Sequence, residues 1–130
     1  MYKKILIMVM CFFTLLTTGC STLSTAREAK GSGMTHVYNK NYNTVWMATD
    51  DVVRRAGLNV VSSDKIKGEI LAESGIGAFS YGENVAVFVT ELDKTPQTKV
   101  EIVSKRVLAT NVTAKDWDEL LLRHLDGKLR

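Results

Sequence analysis

Reactive and cross-linking residues are scarce in this chain. Its 130 residues include two cysteines, two histidines and a single proline, Pro96. Cys11 lies inside an apolar leader and Cys20 closes it, so the remainder holds no pair of thiols from which a disulfide framework could form. His36 and His124 belong to no motif. No second histidine stands one turn after His124, and Leu122 and Arg123 precede it, so a zinc ion has no recognisable ligand spacing. No metal and no cofactor are expected.

An activated nucleophile is missing as well. Ser80 lies in Gly77-Ala78-Phe79-Ser80-Tyr81-Gly82, which lacks the glycine two residues before serine that a strained strand-to-helix elbow uses. The same stretch has no lysine to reach a phosphate and falls between two expected strands, so it reads as a hairpin connection. The chain is not expected to be an enzyme.

Charge of one sign is lacking too. Removing Lys3 and Lys4, which belong to the leader, from the 17 basic residues leaves 15 against 14 acids, a net of +1. The remaining basic pairs, Arg54-Arg55 and Lys65/Lys67, are too short to form a nucleic-acid footprint and read as solvated faces. The longest apolar run, Ile5 to Leu16, is twelve residues, well under the roughly 20 that a membrane-spanning helix needs.

What is present begins with that leader. Two lysines, a short apolar run and a small-residue stretch, Thr17-Thr18-Gly19-Cys20-Ser21, have the layout of an export signal. Gly19-Cys20 resembles the lipobox of bacterial lipoproteins, in which the cysteine thiol receives a diacylglyceryl group, the bond before it is cut, and the new amino terminus is acylated. Leucine is usual three residues before that cysteine; here Thr17 stands there and Leu16 one further back. The resemblance implies cleavage between Gly19 and Cys20, lipid attachment at Cys20 and a membrane partner held through N-terminal acyl chains. At about 0.8 kcal/mol per buried methylene, three chains hold a protein on its membrane essentially permanently. In enterobacterial lipoproteins an aspartate after the cysteine favours the inner membrane; Ser21 stands here, which points to the outer membrane with the domain facing the periplasm. A plain secretory signal and an uncleaved anchor are the alternatives.

Cleavage would leave 111 residues, enough for one core. Three regions are therefore expected: 1–19 as signal, 20–35 as lipidated N-terminus and flexible tether, and 36–130 as a single α+β domain. The tether reading rests on small and polar residues and Gly31-Ser32-Gly33, with a reach of roughly 20 Å if unstructured.

Within the domain, Tyr42, Val45, Trp46, Thr49, Val52, Val53 and Ala56 recur at three- and four-residue intervals, the stripe of an amphipathic helix capped by Asn41 and ended by Gly57. Strands are expected at His36–Tyr38, Leu58–Ser62, Lys67–Ser74, Asn84–Leu92 and Lys99–Leu108. In the last, Val100, Ile102 and Ser104 alternate with Lys99, Glu101, Val103 and Lys105, which predicts a sheet with one wet face. Thr113 to Asp116 resembles a capping box before a helix whose stripe is Trp117, Leu120, Leu121, His124 and Leu125, with Leu122 to one side. The order is β-α-β-β-β-β-α, an antiparallel sheet of four to five strands with two helices on one face and with Trp46 and Trp117 in the core. Ile76, Phe79 and Tyr81, interleaved with glycines in the 75–82 connection, form a possible partner-binding loop.

The aromatic-Val-Trp start of the first helix, Ala56-Gly57-Leu58, the turn from Asp64 to Gly68 leading into Ile70, and the valine-rich strands resemble small bacterial lipoproteins described only as a domain of unknown function. The wider arrangement, over roughly Thr35 to Leu129, is similar to the BamC-like helix-grip domain of accessory lipoproteins in the outer-membrane β-barrel assembly machine. Those have two such domains and a longer tail, which this chain does not share. The resemblance implies a fold and no catalytic residue. Two functions are then expected as alternatives: a non-catalytic interaction or accessory module of an envelope protein complex, or a carrier or sensor holding a small apolar ligand in a cavity lined by Val45, Val52, Val87, Val89 and Leu121. The residues specify no oligomeric state.

Overall fold

Asn41 opens the longest helix. Its Oδ1 accepts a hydrogen bond from the Thr44 backbone N–H at 2.9 Å, satisfying one of the free donors of the first turn of α2 (Tyr42–Arg55). At the other end Gly57 takes φ +86°, which lets the chain reverse into the strand that begins at Asn59. The computed structural model describes Tyr2 and residues 21–76, 82–93, 96–107 and 116–130.

Before α2 come a short helix, α1 (Leu23–Glu28), and β1 (Met34–Tyr38); after it come β2 (Asn59–Asp64), β3 (Glu69–Ser74), β4 (Glu83–Leu92), β5 (Gln97–Arg106) and α3 (Trp117–Leu129). The strands form one open antiparallel sheet in the order β1-β5-β4-β3-β2. The expected α+β class and the order β-α-β-β-β-β-α are found once α1 is set aside. β4 and β5 pair in unbroken register from Glu83 opposite Arg106 to Leu92 opposite Gln97, and they form the middle of the sheet.

Side chains alternate along these strands. Val85, Val87 and Val89 of β4, with Val100 and Ile102 of β5, face α2 and α3, and with Val45, Trp46, Val53, Trp117, Leu121 and Leu125 they form the main core. Each fully buried Leu or Ile side chain contributes about 1.5–3 kcal/mol of transfer free energy. The intervening residues Ala86, Phe88 and Val103, with Leu71, point to the opposite face.

The centre of that opposite face is covered, contrary to the alternation argument, while Thr35, Val37 and Thr90 toward its margins stay exposed. α1 lies on it with Ala26 fully buried against Leu71, Ala86, Phe88 and Val103, while Leu23 and Ala29 pack at its margin. Glu101, counted with the polar face, is also buried; its Oε1 accepts hydrogen bonds from the backbone N–H groups of Gly31 and Gly33. The expectation of a flexible tether through residue 35 is corrected accordingly. Thr22 and Thr25 close a reciprocal cap at the start of α1, Arg27 pairs with Glu69, and Met34 and Thr35 are already in β1. The stretch has little to bury, and it is held instead by polar contacts with distant residues.

Two details of α3 also differ from expectation. The helix begins at Trp117 with Asp116 as its N-cap and no side-chain capping bond; Thr113, the expected cap, lies outside the described residues. His124, written into the apolar stripe but also expected as a partly exposed helix position, is exposed, and Leu122 and Leu129, expected to one side and near the helix end, are buried. The main core wraps α3 through Leu121, Leu122, Leu125 and Leu129, and position 124 faces away from it.

Candidate functional site

Of the sequence-based site residues the structure describes Ile76, which lies at one end of the sheet in a groove shared with Ser21. Ser21 follows Cys20 directly and is tied to the ends of two strands: its N–H donates to the Val107 carbonyl at 3.4 Å, and its carbonyl accepts from Asn84 Nδ2 at 3.0 Å. Val107 in turn donates its N–H to the Gly82 carbonyl at 3.3 Å. The 75–82 connection between β3 and β4 therefore leaves and rejoins the sheet beside Ser21. Gly19, Cys20, Phe79 and Tyr81 lie outside the described residues. Ile76 is 82% exposed, the kind of surface the partner-binding reading required. An open groove of ≈ 340 Å³ runs between Ser21, Ile76, Gly82, Asn84 and Val107. Asn84, buried on β4, was not singled out from the sequence; an asparagine inside a valine-rich strand was the available signal, since a buried amide needs a partner.

A second cluster joins β1 to α3. His36 and Tyr38, two apart on β1, stack with ring centroids 4.7 Å apart and planes 9° apart. Both reach Asp126 Oδ1: the Tyr38 hydroxyl donates to it at 2.8 Å, and His36 Nδ1 lies 3.2 Å away. Burial, then the hydrogen bond to Asp126 and the charge of that carboxylate, push the Tyr38 phenol above the ordinary tyrosine range. An imidazole on a carboxylate resembles part of a proton-transfer site, but among the described residues no serine, threonine or cysteine is hydrogen-bonded to His36 for it to activate. The cluster braces the first strand against the last helix.

The five residues expected to line a ligand cavity, Val45, Val52, Val87, Val89 and Leu121, are instead packed together in the main core. Open grooves on the described residues lie elsewhere, one of them between α2 and α3 along Met47, Asp51, Arg55 and Lys128. Asp51 accepts from both Arg55 and Lys128, and these bonds, led by Lys128, hold its carboxyl below the usual range. Among the described residues no three His, Cys, Asp or Glu side chains converge as metal ligands, and no helix is long and apolar enough to cross a membrane. Compared with known proteins, the chain matches no family model and no curated sequence.

Proposed function

We propose that the chain is a lipid-anchored lipoprotein of the bacterial outer membrane, facing the periplasm and acting as a non-catalytic interaction or accessory module of the cell envelope. The observation that carries this reading is the junction at Cys20. The basic, apolar and small-residue segments of the leader end there, and one peptide bond later Ser21 is hydrogen-bonded to the sheet. A processing site at that position would release the domain with its strand pairing intact. The burial of Val45, Val52, Val87, Val89 and Leu121 against one another in the main core supports an interaction module over a carrier of apolar ligands, whose cavity these side chains were expected to line.

The test is metabolic labelling with radioactive palmitate followed by membrane fractionation. The native chain should incorporate label and sediment with the outer membrane. Cys20→Ala should lose both while retaining its circular dichroism and thermal transition. Label on the Cys20→Ala protein would show the attachment site to be wrong.

A further inference from the structure

We infer that the sheet end carrying Ser21 and Ile76 is the face that the domain lays on the bilayer, so that the protein stands end-on against the lipid with the turn at Ile66 pointing away from it. The inference rests on the reading of Cys20 as the acylated residue, and it assigns to Ile76 a lipid surface in place of a protein partner.

The length of free chain decides the orientation. A fifteen-residue tether would let the domain tumble at roughly 20 Å from the headgroups. Ser21, however, is already fixed by Val107 and Asn84. Consecutive Cα atoms are ~3.8 Å apart, so the backbone of Cys20 stays within about 4 Å of that fixed point. Its acyl chains have to leave the protein from this end of the sheet, and the membrane is brought to them there.

Exposed side chains make the choice of end concrete. β3 has an exposed isoleucine beyond each of its termini: Ile66 in the turn from β2, 99% exposed, and Ile76 just past Ser74, 82% exposed. With ~3.4 Å per residue, the six residues of β3 separate these turns by roughly 20 Å. Both turns combine apolar and basic groups, since Lys65 and Lys67 flank Ile66, while the exposed Arg106 ends β5 on the other side. Composition alone would favour the Ile66 turn as a membrane contact. Position favours Ile76, because it shares its groove with Ser21 and Val107. The acids at this end do not oppose contact with anionic headgroups strongly, as Glu83 is buried and Glu73 half-buried, whereas Arg106 is open to solvent.

The experiment uses the full lipidated chain in vesicles of phosphatidylethanolamine and phosphatidylglycerol, with one nitroxide attached through either Ile76→Cys or Ile66→Cys. Saturation with oxygen and with a water-soluble nickel chelate reads the depth of each label. Position 76 should be relaxed by oxygen and shielded from nickel, and position 66 the reverse; Asn84→Ala, which releases the Ser21 carbonyl, should reduce the shielding at 76 while the protein stays on the vesicles. Equal accessibility at the two positions, shielding at 66 alone, or a photocrosslink from 76 that captures protein and no lipid would overturn the orientation and leave the anchor standing. An unacylated Cys20 by mass spectrometry, with no vesicle association, would overturn the anchor and the orientation together.

Discussion

Arg27 and Glu69 lie 42 positions apart and meet in a two-point ion pair, with Arg27 Nε donating to Glu69 Oε2 at 2.8 Å and Nη2 donating to Oε1. The planar guanidinium matches the carboxylate fork, which gives the pair direction as well as attraction. Through it α1 is fastened to β3 on the face of the sheet opposite the two long helices.

That pair makes stability depend on pH in a defined sense. The hydrogen bond from Arg27 is the main influence holding the Glu69 carboxyl below its usual range, against the opposing effect of burial. A carboxyl lowered in the folded state contributes stability above its unfolded range, and that contribution is lost as pH falls through the lowered folded value. Arg27→Met should therefore reduce the Tm at neutral pH, and the difference from the native chain should shrink as the pH falls below about 4, where glutamate takes up its proton. A difference unchanged between neutral and acid pH would refute this role for the pair.

Core and surface positions should separate sharply. Leu121→Ala opens space at a fully buried position of α3 and should cost about 2–5 kcal/mol in urea unfolding. Met47→Ala, on the exposed side of α2, should stay within about 0.5 kcal/mol. Similar losses at the two positions would contradict a filled core centred on Leu121.

Two glycines with positive φ should respond differently to alanine. A methyl group at Gly57 meets nothing within 4 Å, so Gly57→Ala carries only the left-handed backbone penalty of roughly 1–2 kcal/mol. At Gly68, φ +66°, the added carbon would sit 2.1 Å from the Val89 carbonyl oxygen, while the Gly68 carbonyl accepts from Val89 N–H at 2.8 Å. Gly68→Ala should therefore be the more damaging of the two, because strand backbone has to move. Chemical denaturation of both variants gives the order, and equal losses would count against this close approach of β3 and β4.

The brace between β1 and α3 can be tested by removing one oxygen. Tyr38→Phe deletes the hydrogen bond to Asp126 and should cost about 0.5–1.5 kcal/mol. In an alkaline absorbance titration, the Tyr38 and Tyr42 phenols of the native chain should both resist ionisation beyond the ordinary tyrosine range, and Tyr38→Phe should remove one late-titrating phenol. If no late-titrating phenol is lost, the hydroxyl is not held as described.

The two long helices and the strands were legible in sequence because their signals are local. Asn41 and Gly57 bracket α2, Val85, Val87 and Val89 alternate along β4, and Gly68 marks a reversal. α1 was hidden because six residues with one fully buried alanine produce no apolar period, and its support comes from Glu69 and Glu101, far along the chain. Glu101 misled for a related reason: alternation with Val100 and Ile102 marks a solvent face unless a distant backbone donor meets the carboxylate, as Gly31 and Gly33 do. At the sheet end, the sequence singled out Cys20 and Ile76 separately. Their connection depends on Asn84 and Val107 holding Ser21, a relation between strand ends that no local pattern contains.

The pairing of β1 with β5 has a further consequence in time. Met34 lies opposite Ile102 and Tyr38 opposite Thr98, so among the described residues the first strand has to wait for the last, β5, before it gains its partner in the sheet. Loop closure over that separation slows folding, and a chain delivered amino terminus first cannot complete its sheet until nearly all of it has been delivered.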